Sequence, residues 1–88
     1  MSDKLRVFHN ATVAAKAFKS TPPDDTLLDL YALYKQATVG DINIPRPMFY
    51  DLKGQAKWEA WNKRKTMTKE QAMDQYIGLV DAMVAAGW

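Results

Sequence analysis

An all-α domain of four helices is the fold class this sequence predicts, and three observations predict it. Apolar residues recur at spacings of three and four in several stretches, no stretch alternates convincingly as a strand, and two sharp helix-start signals stand at Pro22-Pro23-Asp24-Asp25 and at Thr68. The chain has 88 residues, enough for one small core and no more, so a single domain over 1–88 is expected.

The first helix follows from Val7, Ala11, Ala14 and Phe18, with Phe8 and Ala15 beside them, and should end near Ser20. Proline needs no amide partner in a first turn and carboxylates favour the positive helix end, so Pro22, Pro23, Asp24 and Asp25 open a second helix from about Asp24 to Thr38. One face of it carries Leu27, Tyr31 and Tyr34, with Leu28 and Lys35 at the edge; Leu30, Leu33 and Ala37 face another way. Between Gly40 and Lys53 the residues Gly40, Asn43, Pro45 and Pro47 forbid a helix. So long a connection in so small a domain points to a functional loop. A third helix is expected from Gly54 to Lys65, with Ala56, Trp58, Ala60 and Trp61 on it. Thr68 and Gln71 form a capping box for the fourth, whose stripe of Ala72, Met73, Tyr76, Ile77, Val80, Met83 and Val84 runs to Gly87.

Composition excludes several functions. No cysteine is present, so disulfides and thiolate metal sites are out, and a lone His9 cannot build a metal site by itself. No paired carboxylates sit in an apolar setting and no glycine-rich phosphate loop occurs, so no catalytic machinery and no cofactor site is visible. The first ten residues lack a signal-peptide core and no stretch is long and apolar enough to span a bilayer, which with the absence of cysteine fits a soluble cytoplasmic protein. A net charge of +2 is too small to argue for nucleic acid. The charge is unevenly placed, however: from Tyr31 to Lys65 seven basic residues face three acidic ones, and after Thr66 the balance reverses.

What these residues can do is bind. Tyr31, Tyr34 and Lys35 set two phenols and an ammonium on one helical surface, and Lys53 with Lys57 adds two ammonium groups at i, i+4 on the third helix. Phenols supply stacking faces and hydroxyl donors, and lysines supply charge that can follow a phosphate. If the two helices approach, the five groups surround one anionic pocket. Taken singly, Tyr31 and Tyr34 fit core tyrosines with wet hydroxyls, the lysines fit a solvated surface, and Trp58 with Trp61 fits buried area in a small bundle. A helical nucleic-acid binder using Lys53, Lys57, Lys63, Arg64 and Lys65, or a partner-binding module, remains open at this level.

YKQATVGDIN from Tyr34 to Asn43, RP at Arg46 and Pro47, and KGQAKWEAWN from Lys53 to Asn62 closely resemble the signature of the acyl-CoA-binding protein family, also known as the diazepam-binding inhibitor family. The likeness covers essentially the whole chain and is strongest from Tyr31 to Asn62. It implies an up-down-down-up four-helix bundle, with no catalytic step, that carries medium- to long-chain acyl-CoA esters in the cytosol as a monomer. Contact with a membrane or an acyl-CoA-using enzyme is at most transient. By resemblance Tyr31, Tyr34, Lys35 and Lys57 hold the adenine and 3′-phosphate, with Tyr34 as the stacking ring. Lys16, Lys53 and Tyr76 match further ligand-contacting positions, and Leu27, Leu28, Leu52 and Ala56 match places near the acyl chain. The chain departs from the family at Met48, Phe49, Tyr50, Asp51 and Leu52, where a glycine commonly follows the proline and a phenylalanine precedes the lysine.

Overall fold

In the computed structural model, which describes residues 3–88, four α-helices appear: α1 (Asp3–Lys16), α2 (Asp24–Thr38), α3 (Leu52–Asn62) and α4 (Lys69–Ala85). No strand occurs among the described residues. α4 packs on both α1 and α2, and α3 packs on α2 alone, so the spatial order is α1, α4, α2, α3.

Contacts along the helices give their directions. Lys4 at the start of α1 pairs with Asp74 early in α4 at 3.1 Å, and beyond the far ends the Lys19 amide donates to the Trp88 carbonyl at 3.3 Å, so α1 and α4 run parallel. Near the end of α2, Gln36 donates to the Met67 carbonyl just before α4, which makes α2 antiparallel to both. Tyr31 lies opposite Lys57 and Lys35 opposite Trp61, so α2 and α3 advance together. The bundle is up-down-down-up. A parallel pair requires the chain to return along a whole helix, about 22 Å for the 15 residues of α2 at 1.5 Å each, and this is what the long segment 39–51 does.

Local chemistry sets each boundary. α1 stops at Lys16, short of the expected Ser20, because the Ala17 amide closes a tight turn onto the Ala14 carbonyl and the chain then swings to Trp88. Its buried stripe centres on Phe8 and Ala11, while Val7 remains 43 % exposed at the outer edge. α2 begins at Asp24 as expected. Its end is closed by the Val39 and Gly40 amides, both donating to the Lys35 carbonyl, with Gly40 at φ 99° where glycine carries no steric penalty. α3 begins two residues before the expected Gly54, because the Asp51 carboxylate caps the Gly54 amide at 3.0 Å. It ends at Asn62 rather than Lys65: the Arg64 and Lys65 amides reach back three residues in tight turns. The capping box of α4 forms as predicted, with both Thr68–Gln71 bonds at 3.0 Å.

Phe8, Ala11, Leu30, Leu33, Ala37, Ala72, Tyr76, Val80 and Met83 form the core where α1, α4 and α2 meet. Trp61 is buried apart from it, with its indole N–H donating to the Gly40 carbonyl at 2.9 Å. Trp58, expected in the core, is only half-buried and uses its N–H to hold the Ile44 carbonyl. Gln36 is fully buried; its amide donates to Asp41 and to Met67, tying the end of α2 to the approach to α4. Asp41 also accepts from the Thr66 amide at 2.8 Å, which holds Thr66 at φ 76°, an unfavourable conformation for a β-branched residue.

Candidate ligand-binding site

Because α4 sits between α1 and α2 on one side of the bundle, a valley opens between those two helices on the other. Leu5, Arg6, Phe8, His9 and Thr12 of α1 and Tyr34 and Thr38 of α2 line a cavity of about 510 Å³ there. Its floor is aromatic. Phe8 stacks on Tyr34 with ring centres 6.1 Å apart and meets Tyr76 edge-on at 5.2 Å, and Tyr34 lies 6.3 Å from Tyr76. Tyr76 is 5 % exposed, and burial lifts its phenol above the ordinary value, with the neighbouring Tyr34 adding to the shift. Tyr34, by contrast, is 43 % exposed and lines the valley, where a phenol can supply both a stacking surface and a hydroxyl.

A second valley lies across α2. Asp24, Leu27 and Leu28 of α2 and Lys53, Ala56 and Lys57 of α3 line a cavity of about 320 Å³ with an apolar floor and two ammonium groups on its rim. At its upper end the Lys57 ammonium stands 5.4 Å from the centre of the Tyr31 ring, and the Lys35 ammonium stands 5.1 Å from that of Trp61. No carboxylate forms an ion pair with Lys35, Lys53 or Lys57 among the described residues. Two of these cations are therefore held over aromatic faces with their charge uncompensated, an arrangement suited to an incoming anion.

The expected single pocket is thus a saddle over α2. Tyr34 faces the α1 side, Lys53, Lys57, Leu27, Leu28 and Ala56 line the α3 side, and Tyr31 and Lys35 stand on the ridge between. Lys16 is exposed at the end of α1, one turn beyond Thr12, and lines neither cavity. Leu52 is 75 % exposed and also lines neither; Lys53, next in the chain, does. Phe8, His9, Thr12 and Thr38 escaped the sequence reading. Only the i, i+4 spacings Phe8–Thr12 and Tyr34–Thr38 hinted at them, and those meet across a gap between helices whose backbones stay apart and whose side chains touch at Phe8 and Tyr34. The basic run at Lys63–Lys65 is no free stripe, since Arg64 pairs with Asp29 at 3.4 Å.

The same architecture recurs in known proteins. In sequence, the chain is 45 % identical over 78 residues to "Acyl-CoA-binding protein homolog 1" of Caenorhabditis elegans, covering 89 % of this chain and 91 % of the relative. It is 49 % identical over 78 residues to the "Acyl-CoA-binding protein homolog" of Drosophila melanogaster, with the same coverage. In structure, it superposes on Acyl-CoA-Binding Protein 2 of Oryza sativa with a TM-score of 0.91 and 36 % identity, covering 94 % of this chain and 92 % of that one. The corresponding protein of Moniliophthora perniciosa gives 0.89 and 34 %, covering 99 % and 84 %. The profile of the family described as "Acyl CoA binding protein" matches residues 6–80, a span that takes in both valleys apart from Leu5, and the chain belongs to that family.

Proposed function

We propose that this protein binds medium- to long-chain fatty acyl-CoA esters, one per monomer, and carries them in the cytosol without chemical change. The observation that carries the reading is the saddle: an aromatic valley with polar edges on one side of α2 and an apolar valley rimmed by lysines on the other. A nucleotide with a long apolar tail has the two matching halves. Family membership supports the same ligand class.

In this reading adenine stacks on Tyr34 above the Phe8–Tyr76 floor. Lys35 and Lys57 take the 3′-phosphate, with Tyr31 between them as hydroxyl donor and as the face that holds Lys57. Lys53 and Lys16 follow the remaining phosphates, and Tyr76 supports Tyr34 from below. The tail lies against Leu27, Leu28 and Ala56, and Leu52, exposed outside the cavity next to Lys53, meets it where it leaves the valley. Head contacts orient the ligand and tail burial sets its affinity: at about 0.8 kcal/mol per methylene, two carbons add about 1.5 kcal/mol until the valley is full. Enclosure also keeps water from the thioester. Calorimetric titration with palmitoyl-CoA, free CoA and palmitate tests this. The ester should bind far more tightly than either part, and no binding of the ester at micromolar concentration refutes the reading.

A further inference from the structure

Among the described residues the four most exposed large hydrophobic side chains are neighbours: Phe49 at 83 %, Leu52 at 75 %, Tyr50 at 73 % and Met48 at 66 %. Turn tips ordinarily carry small or polar residues, and a contiguous apolar cluster at such a tip marks a docking surface. This tip is firmly built. The Asp51 amide donates to the Met48 carbonyl at 3.0 Å, the Gln55 side chain holds the Met48 and Pro47 carbonyls, and the Phe49 and Tyr50 rings meet edge-on at 5.6 Å. The apolar groups are thus presented outward on a fixed turn.

The charges around the tip are equally informative. Arg46 is neutralised by Glu59 at 2.6 Å and the Asp51 carboxylate is engaged at the start of α3. Among the described residues Lys53 and Lys57 beside the tip have no carboxylate partner, although Asp24 lines the same valley. Protruding aromatic and aliphatic side chains flanked by lysines match a fluid, negatively charged interface, where rings enter the headgroup layer and ammonium groups meet lipid phosphates. Lys53, which follows Leu52, lines the apolar valley, so docking at this tip sets the mouth of that valley on the bilayer.

We propose that Met48, Phe49, Tyr50 and Leu52 form a membrane-docking tip that inserts into the surface of an anionic phospholipid bilayer. Where the acyl-CoA reading holds, on which this part rests, the tip lets the tail pass between bilayer and valley without crossing water.

Co-sedimentation of the ligand-free protein with vesicles of phosphatidylcholine alone, and with added phosphatidylserine, tests the docking. The protein should sediment with the anionic vesicles and release as salt rises. Phe49→Ser/Tyr50→Ser should weaken vesicle binding by about tenfold or more, the lower end of what burial of one aromatic ring supplies. Both substitutions lie outside the proposed ligand site, so affinity for octanoyl-CoA in vesicle-free solution should be unchanged. Independently, Phe49→Trp should shift its emission to the blue on anionic vesicles and be quenched by brominated lipid chains. Vesicle binding retained by the double variant, preference for uncharged vesicles, or an unshifted Phe49→Trp spectrum overturns the proposal. If octanoyl-CoA fails to bind while the tip-dependent vesicle binding persists, the acyl-CoA reading falls and the docking stands.

Discussion

Lys57→Met separates a phosphate-binding lysine from a merely structural one. The Lys57 ammonium has no carboxylate partner among the described residues and sits 5.4 Å from the centre of the Tyr31 ring. Methionine keeps the length and apolarity of the stem, so the folded state loses only an exposed cation–π contact, worth about 0.5–1 kcal/mol. For a domain of this size that lowers the melting temperature by a few degrees, at about 4–8 °C per kcal/mol. A charge-assisted bond to phosphate is worth more, about 1.5–3 kcal/mol, which is a loss of about 10- to 150-fold in affinity. The assay is calorimetric titration of both proteins with palmitoyl-CoA and with its 3′-dephospho analogue, helicity being checked by circular dichroism. The wild type should prefer the phosphorylated ligand, and Lys57→Met should lose most of that preference while binding the dephospho analogue as the wild type does. An equal loss for both ligands, or none for either, refutes the assignment of Lys57 to the 3′-phosphate.

Trp61→Ala should destabilise the protein by about 3–5 kcal/mol in urea unfolding, because it empties a fully buried site between α2 and α3 and leaves the Gly40 carbonyl without its donor. Asp51→Ala should cost about 0.5–2 kcal/mol by removing the α3 cap. Gly54→Ala should show its helix-propensity gain of about 1 kcal/mol only in the Asp51→Ala background, since an added Cβ collides with the capping carboxylate; a double-mutant cycle measures that coupling. Hydrogen bonds from the Thr66 amide and the Gln36 side chain, with help from Lys65, hold the Asp41 carboxyl below its ordinary value. The native state therefore favours the ionised form, and the stability it supplies is present above the unfolded aspartate pKa of about 3.9 and lost as pH falls through the folded value. Asp41→Asn should accordingly flatten the acid limb of stability, measured by urea unfolding from about pH 2 to 6.

How much of this was legible in the sequence depends on the range of the interaction. Thr68 and Gln71 cap α4 through residues three apart, and Asp24 with Asp25 marks α2 within one turn, so both starts were readable. The start of α3 was not, because Gly54 reads as a boundary by composition, while its role here is to leave room for the Asp51 carboxylate. Trp58 and Trp61 look alike in the chain; only the path of segment 39–51 decides that one holds the loop at Ile44 and the other is buried under Lys35. Lysines and tyrosines of the saddle were found from their spacing on single helices. The aromatic floor was missed because Phe8, Tyr34 and Tyr76 come from three helices, and no local pattern records that α4 lies under the gap between the other two.

That same arrangement gives the two valleys different support. The Phe8–Tyr76 floor belongs to the main core, shared by three helices, so the surface beneath Tyr34 is fixed by the packing that folds the domain. The other valley has one wall on α3, which packs on α2 alone and is anchored by Trp61, by the Arg46–Glu59 pair and by the bonds from segment 39–51. Because α3 packs on α2 alone, an adjustment of α3 against α2 leaves the core shared by α1, α2 and α4 in place. A rigid aromatic seat suits a head that is the same in every acyl-CoA. A wall that stands outside the core suits, in the proposed reading, tails that differ in length, and in this chain that wall begins at the apolar tip of Met48, Phe49 and Tyr50.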